Sequence, residues 1–296
     1  MASTTTCRTA VEKPGRLRLK QEVYDSGGPL DFASHAVSAG AALDPDELLA
    51  VAEDLVDSSA QRGVTLRILG SLGIRRHMQG SGPLLDLLER VPTRDIDFMG
   101  YSRDVKEADR MFSSLGYTVD AALAHSLEYD VRRRIYHKAN DQLMAEIFLD
   151  ELRMAHTLDF RGRLELDSPT ITLIDLLLSK LQIQQITEKD LKDLIALLAS
   201  HELGSGDPER IDVIHMLRLT SGDWGLDQTA TTNLGIVKEW LGRFDVIAPS
   251  VRTETTGKIE EMIRRMKAAP KSLRWKMRSV VGTRVRWYEE VGEVHR

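Results

Sequence analysis

The sequence predicts an α+β protein, a small mixed β-sheet with helices followed by an all-helical C-terminal domain, and three observations predict it. Between residues 44 and 165, short segments that alternate apolar and polar positions ("VTLRIL", "RDIDFMGY", "RRRIYHK", "QLMAEIFLD") are interleaved with helical stretches. From about Leu166 onward the apolar spacing changes to steps of three and four, the period of helices. A chain of 296 residues also has room for two domains of roughly 100 to 200 residues each. The expected organisation is a tail over 1–43, a mixed sheet domain over 44–165 and a helical domain over 166–296 that ends in a basic segment.

Residues 1–43 are rich in Thr, Ser, Gly and Ala, and read as a mobile tail with one candidate edge strand at "RLRLKQEVYD". The first firm helix is "DPDELLAVAEDLVDSSAQRG": Asp44 is the N-cap, Pro45 suits the first helical position, Glu47 completes a capping box and Gly63 ends it. The strand "VTLRIL" then runs into Gly70-Ser71, where a short helix from Leu72 to Gln79 begins, followed by a second at "PLLDLLERV". After the strand "RDIDFMGY" comes the helix "VKEADRMFSSLG", closed by Gly116 before "YTVD". "RRRIYHK" and "QLMAEIFLD" are strands joined by a turn at "KAND". Helices are expected at "TLIDLLLSKLQIQQ", "EKDLKDLIALLASH", "DPERIDVIHMLRL", "DQTATTNLGIVKEWLGRF" and "TGKIEEMIRRMKAA".

Composition narrows the class. Apolar residues make up 42% and charged residues 29%, the balance of a globular chain. No apolar run reaches the roughly 18 residues that span a bilayer, so no membrane partner is expected. The N-terminus lacks the apolar segment of a secretory signal, and Cys7 is the only cysteine, which excludes an internal disulfide and a cysteine-rich zinc site. A reducing, cytoplasmic setting is the expectation. The net charge is −5, yet nine Lys or Arg and no acid fall between Met262 and Tyr288. Such a basic end on an acidic body suits an RNA backbone, and Trp275, Trp287 and Tyr288 lie within it as stacking surfaces. Arg274, Lys276 and Arg278 are its candidate RNA contacts; a solvated face is the plainer alternative.

The chemistry is expected where "LGS" meets "DIDF". A Gly-Ser turn between a strand and a helix N-terminus offers backbone N–H groups to an anionic phosphate. Asp95 and Asp97 alternate with the apolar Ile96 and Phe98, so both carboxylates project from one strand face, roughly 7 Å apart, as a pair of hard oxygen ligands. A third acid on a neighbouring strand completes a clamp for two divalent ions and in-line displacement at phosphorus. Glu146 in "MAEIFLD" is the first candidate, with Asp150 and Glu151 at the strand end as alternatives. Arg75 and Arg76 follow the Gly-Ser turn and are placed to reach a triphosphate, or simply lie on the surface. His125, His137 and His156 show no ligand spacing.

Leu69, Gly70 and Ser71, followed by Asp95, Ile96 and Asp97, resemble the signature of the nucleotidyltransferase superfamily built on the DNA polymerase β palm. The 23 residues between Ser71 and Asp95 exceed the usual spacer, so an inserted helix is expected there. "DLLLSKLQI" followed by "EKDLKDLIALL" is similar to the Lys-and-Asp helical motif of bacterial AbiEii-like and MenT-like nucleotidyltransferases, among them toxins of toxin-antitoxin systems. The resemblance covers roughly residues 44 to 240. It implies transfer of a nucleoside monophosphate from an NTP to an acceptor hydroxyl with two Mg²⁺ ions. Asp95, Asp97 and Glu146 would be the metal ligands, and Gly70, Ser71 and Arg75 would hold phosphates. Lys180 would contact the nucleotide, and Asp190 or Asp193 would orient Lys180 or the acceptor. A tRNA 3′ end is the preferred acceptor and a cognate antitoxin a candidate partner. An aminoglycoside-type small molecule, a protein side chain, or an inactive RNA- or partner-binding protein of the same fold are the alternatives.

Overall fold

A computed structural model describes residues 44–79, 84–90, 95–119, 132–138, 143–206 and 208–290. The expected tail and its edge strand, most of the "KAND" turn, and residues 80–83 and 91–94 of the spacer before Asp95 lie outside the described residues. All described residues belong to one compact unit, Gly40–Arg296.

Helix α1 (Pro45–Gln61) starts where its capping box demands: the Asp44 carboxylate accepts from Asp46 N, and Glu47 reaches back to Asp44 N at 3.0 Å. Strand β1 (Leu66–Ile68) leads into α2 (Gly70–His77), and a single turn, α3 (Leu84–Leu87), precedes β2 (Asp95–Gly100). Next come α4 (Val105–Ser114), β3 (Thr118–Val119), β4 (Arg133–Lys138) and β5 (Leu143–Leu149). The five strands form one mixed sheet in the order β1-β2-β5-β4-β3. Its one parallel pairing, β2 with β5, is central and sets Asp97 opposite Glu146; the other neighbours run antiparallel.

Side-chain alternation gives the sheet two different faces. Ile68, Ile96, Phe98, Ala145, Ile147 and Leu149 point to one side, into a core shared with α1 and α4. Ile96 and Phe98 are fully buried there, worth about 2 to 3 kcal/mol each in removed apolar surface. The opposite face carries Asp95, Asp97 and Glu146. Farther along that face, Met99 and Phe148 join the core of the helical half.

The chain bends after β5 at Asp150, whose φ is 63, and continues into a hairpin of β6 (Glu151–Arg153) and β7 (Thr157–Asp159). The helical half contains α5 (Leu173–Leu181), α6 (Glu188–Ser200), α7 (Val213–Gly222), α8 (Trp224–Leu241), α9 (Pro249–Ala268) and α10 (Leu273–Val281), with the short parallel pair β8 (Glu202–Gly204) and β9 (Arg210–Asp212) before α7. Two expectations are corrected. "DPERIDVIHMLRL" is not helical throughout: Arg210–Asp212 is a strand, and the helix starts at Val213 because the Asp212 carboxylate caps Ile214 N and His215 N. The basic end contains α10, a helix capped by Ser272 that the pattern did not announce. Among the described residues, no helix is long and apolar enough to cross a membrane.

Candidate functional site

The pairing of β1 with β2 is prolonged by one bond, from Leu69 N to Asp97 O at 2.8 Å. The chain then turns at Gly70 with φ +67, a left-handed conformation that L side chains rarely adopt. This turn aims the start of α2 at Asp97: a Cβ placed on Gly70 would stand 2.9 Å from Asp97 Oδ2. The glycine is therefore required twice, by its backbone and by the carboxylate it faces. Three residues on, a Cβ at Gly73 would meet Leu176 Cδ2 at 2.9 Å and Ile68 O at 3.1 Å. That close approach seats α2 on α5, and Lys180 lies one turn beyond Leu176 on the same face of α5.

The parallel register puts Asp97 and Glu146 side by side on neighbouring strands, with Asp95 opposite Met144 one step along the same face. Asp95 and Asp97 are half-buried and Glu146 is buried. Asp150, the alternative third acid, lies beyond the strand end, where Oδ1 accepts from Ser102 N at 3.1 Å. Glu151 is taken up by Arg132, Arg153 and Arg161. Of the three acids on this strand end, Glu146 is the one the register brings next to Asp97. An unexpected neighbour accompanies it: Arg133 of β4 forms an ion pair with Glu146 and lies over the Phe148 ring. "RRRIYHK" held the signal, since Arg133 leaves an antiparallel neighbour of the acid's strand on the acid's face, but three successive arginines hid which one does so.

Lys180 sits between the two expected aspartates, 2.8 Å from Asp190 Oδ1 and 3.2 Å from Asp193 Oδ2. Asp190 is also the N3 residue of the α6 capping box, accepting from Thr187 N at 3.2 Å and Thr187 Oγ1 at 2.7 Å. Asp193 in turn takes both arms of the Arg90 guanidinium, at 2.7 and 3.1 Å. Burial works against the Lys180 charge most strongly, but Asp193 and Asp190 outweigh it and hold the ammonium above its ordinary range. Burial likewise pushes Asp190 up, and Lys180 overcomes it, so this carboxyl lies below its ordinary value. The outcome is a hydrogen-bonded Lys180-Asp190-Asp193-Arg90 cluster linking α5, α6 and the segment after α3.

The remaining expected contacts are dispersed. Arg75 donates to Asp46 in the first turn of α1 at 2.7 Å, and Arg76 forms an ion pair with Glu53 at 2.8 Å. Arg274 and Lys276 are exposed. Arg278 donates to Gly282 O at 2.7 Å and Val285 O at 2.8 Å and covers the Trp224 ring. The indoles of Trp275 and Trp287 donate to Asp227 and Thr229 of α8. Arg278 and both tryptophans thus fasten the C-terminal segment to the helical core.

No known family model matches the chain, and no curated protein matches it. What recommends a function is therefore the grouping itself. An oxygen-rich face carries Asp95, Asp97 and Glu146, and a helix N-terminus at Gly70-Ser71 opens against Asp97.

Proposed function

We propose that the chain is a metal-dependent nucleotidyltransferase that moves a nucleoside monophosphate from an NTP to an acceptor hydroxyl. One observation carries the reading: Asp97 and Glu146 are in-register neighbours across a parallel strand pair, with Gly70 against the Asp97 carboxylate. The donor set fits Mg²⁺, because carboxylate oxygens are what a hard divalent cation takes and the three acids share one sheet face. Asp95, Asp97 and Glu146 would hold two such ions, which supply charge neutralisation at the phosphoryl oxygens and a more acidic acceptor hydroxyl.

The chain's own groups then have separate tasks. Ser71 and the first N–H groups of α2 bind the terminal phosphates, for which the helix N-terminus is electrostatically suited. Arg133 fixes the Glu146 side chain in place. Glu146 receives the acceptor's proton as the acceptor oxygen bonds the α-phosphorus and the bond to the departing pyrophosphate breaks. Lys180, kept cationic by Asp190 and Asp193, supplies positive charge on the helical side of the nucleotide site. A tRNA 3′ end is the acceptor we favour, since Arg274 and Lys276 remain exposed on the basic end. The same reading carries a cognate antitoxin as the protein partner. The engagement of Trp275, Trp287 and Arg278 within the fold gives these residues a structural task and favours a small-molecule hydroxyl as the second reading.

The test is incubation with each α-labelled NTP, Mg²⁺ and total RNA, run in parallel with aminoglycosides as acceptors. Label should enter tRNA with the wild-type chain and not with Asp97→Asn. Label in the small molecule alone selects the second reading, and label in neither removes nucleotidyl transfer to these acceptors.

A further inference from the structure

A second cluster lies apart from the carboxylate face. One ligand atom each from His77, His201 and Glu209 fall within 4.8 Å of one another. His77 is the last residue of α2, His201 is the C-cap of α6, and Glu209 immediately precedes β9. The parallel β8–β9 ladder pairs Glu202 with Arg210, so one step earlier it brings His201 and Glu209 abreast. Both histidines are buried, whereas the Glu209 side chain is 70% exposed.

Tautomers follow from the partners. His201 Nδ1 lies 3.1 Å from Leu197 O; a carbonyl oxygen only accepts, so Nδ1 carries a proton and Nε2 is the nitrogen left to ligate. His77 Nε2 lies 2.7 Å from Thr170 Oγ1 and 3.8 Å from Asp167 Oδ2, and Nδ1 faces Glu209 Oε2 at 3.9 Å. Asp167 Oδ2 is buried without a hydrogen-bond partner among the described residues. A cation on His77 Nδ1 places the ring proton on Nε2, directed at Thr170 and Asp167, the carboxylate-imidazole-metal arrangement of protein metal sites. The nearby cations are already answered: Lys258 pairs with Glu202 and Glu254, and Arg76 with Glu53.

We propose that His77 Nδ1, His201 Nε2 and Glu209 bind one divalent transition-metal ion of the Zn²⁺ class, with water completing the coordination, so that the segment before β9 is fastened to α2 and α6. Two imidazole nitrogens and one carboxylate suit Zn²⁺ and disfavour Mg²⁺, so the site is chemically distinct from the carboxylate face. Two donors at about 2.1 Å from one ion stand no more than about 4.2 Å apart. The 3.9 Å between His77 Nδ1 and Glu209 Oε2 is within that limit, whereas the cluster as a whole is held only within 4.8 Å, so binding an ion draws its donors closer together.

The experiment uses the full untagged chain, stripped with a chelator and titrated calorimetrically with Zn²⁺ alone; Co²⁺ substitution reports geometry through its visible bands. The expected result is one equivalent bound with a raised melting temperature. Glu209→Gln, an exposed change that leaves the fold intact, should weaken binding about tenfold or more, and His201→Gln should abolish it. Asp97→Asn should bind Zn²⁺ as the wild type does. Absence of stoichiometric binding by the folded wild-type chain overturns the proposal, as does equal affinity in Glu209→Gln.

Discussion

Gly70 and Asp97 face each other so closely that a single added carbon on the glycine would lie 2.9 Å from the aspartate's Oδ2. The contact joins the two halves of the proposed site, the helix that meets phosphate and the strand that meets metal. Gly70→Ala should therefore do two separable things. The left-handed backbone should cost about 1 kcal/mol of stability, while displacement of Asp97 should lower nucleotidyl transfer far more than the melting shift accounts for. Wild-type transfer in the folded variant would show that Asp97 need not hold this position.

Asp95→Asn and Asp97→Asn should each abolish transfer with little change in melting temperature, because both carboxylates are half-buried and neither substitution opens a cavity. Unchanged turnover in either variant removes that residue from the metal site.

Glu146→Gln should behave differently, since it strands Arg133. After discounting for the partial exposure of the Arg133 side chain, 30%, the broken pair should cost about 2 kcal/mol. Adding Arg133→Met should restore much of the stability without restoring transfer. Recovery of both by the double variant would make the pair structural and the third acid something other than Glu146.

The Lys180 cluster carries a pH signature. The Asp190 carboxyl titrates below its ordinary value of 3.8 in the folded chain. Its stabilisation is thus present above that value and is lost as pH falls through the lower folded value. Asp190→Asn should lower stability at pH 7 and flatten the acid limb of a plot of urea stability against pH. Lys180→Met, which leaves Asp190 and Asp193 facing each other beside Arg90, should cost about 3 kcal/mol and weaken NTP binding. A parallel acid limb in Asp190→Asn would dissociate Asp190 from the cluster's energetics.

For the basic end, Arg274→Gln with Lys276→Gln should weaken tRNA binding and lower the slope of log affinity against log salt by up to about two units, one for each phosphate that is no longer neutralised. Arg278→Gln should act mainly on melting temperature, because its guanidinium holds the Gly282 and Val285 carbonyls. Coincident salt plots for the wild type and the double variant would leave these two side chains as solvated surface.

Local chemistry was written in the residues themselves. The capping box at Asp44 and Glu47, the alternation of acids with Ile96 and Phe98, and the shift to helical spacing after Leu166 depend on neighbours within a few positions, so they can be read along the chain. The start of α7 escaped because β9 is three residues long and its apolar content fits a helix equally well until Asp212 caps the turn. Long-range pairings were a matter for the tertiary structure alone. No spacing rule ties Asp97 to Glu146, Arg133 to Glu146 or Arg90 to Asp193. Strand register and helix packing decide these, because a one-residue slip would turn every carboxylate to the opposite face. The same holds for His77, His201 and Glu209. They lie at the ends of elements far apart in sequence and become neighbours only where α2 meets α6 and two short strands run parallel.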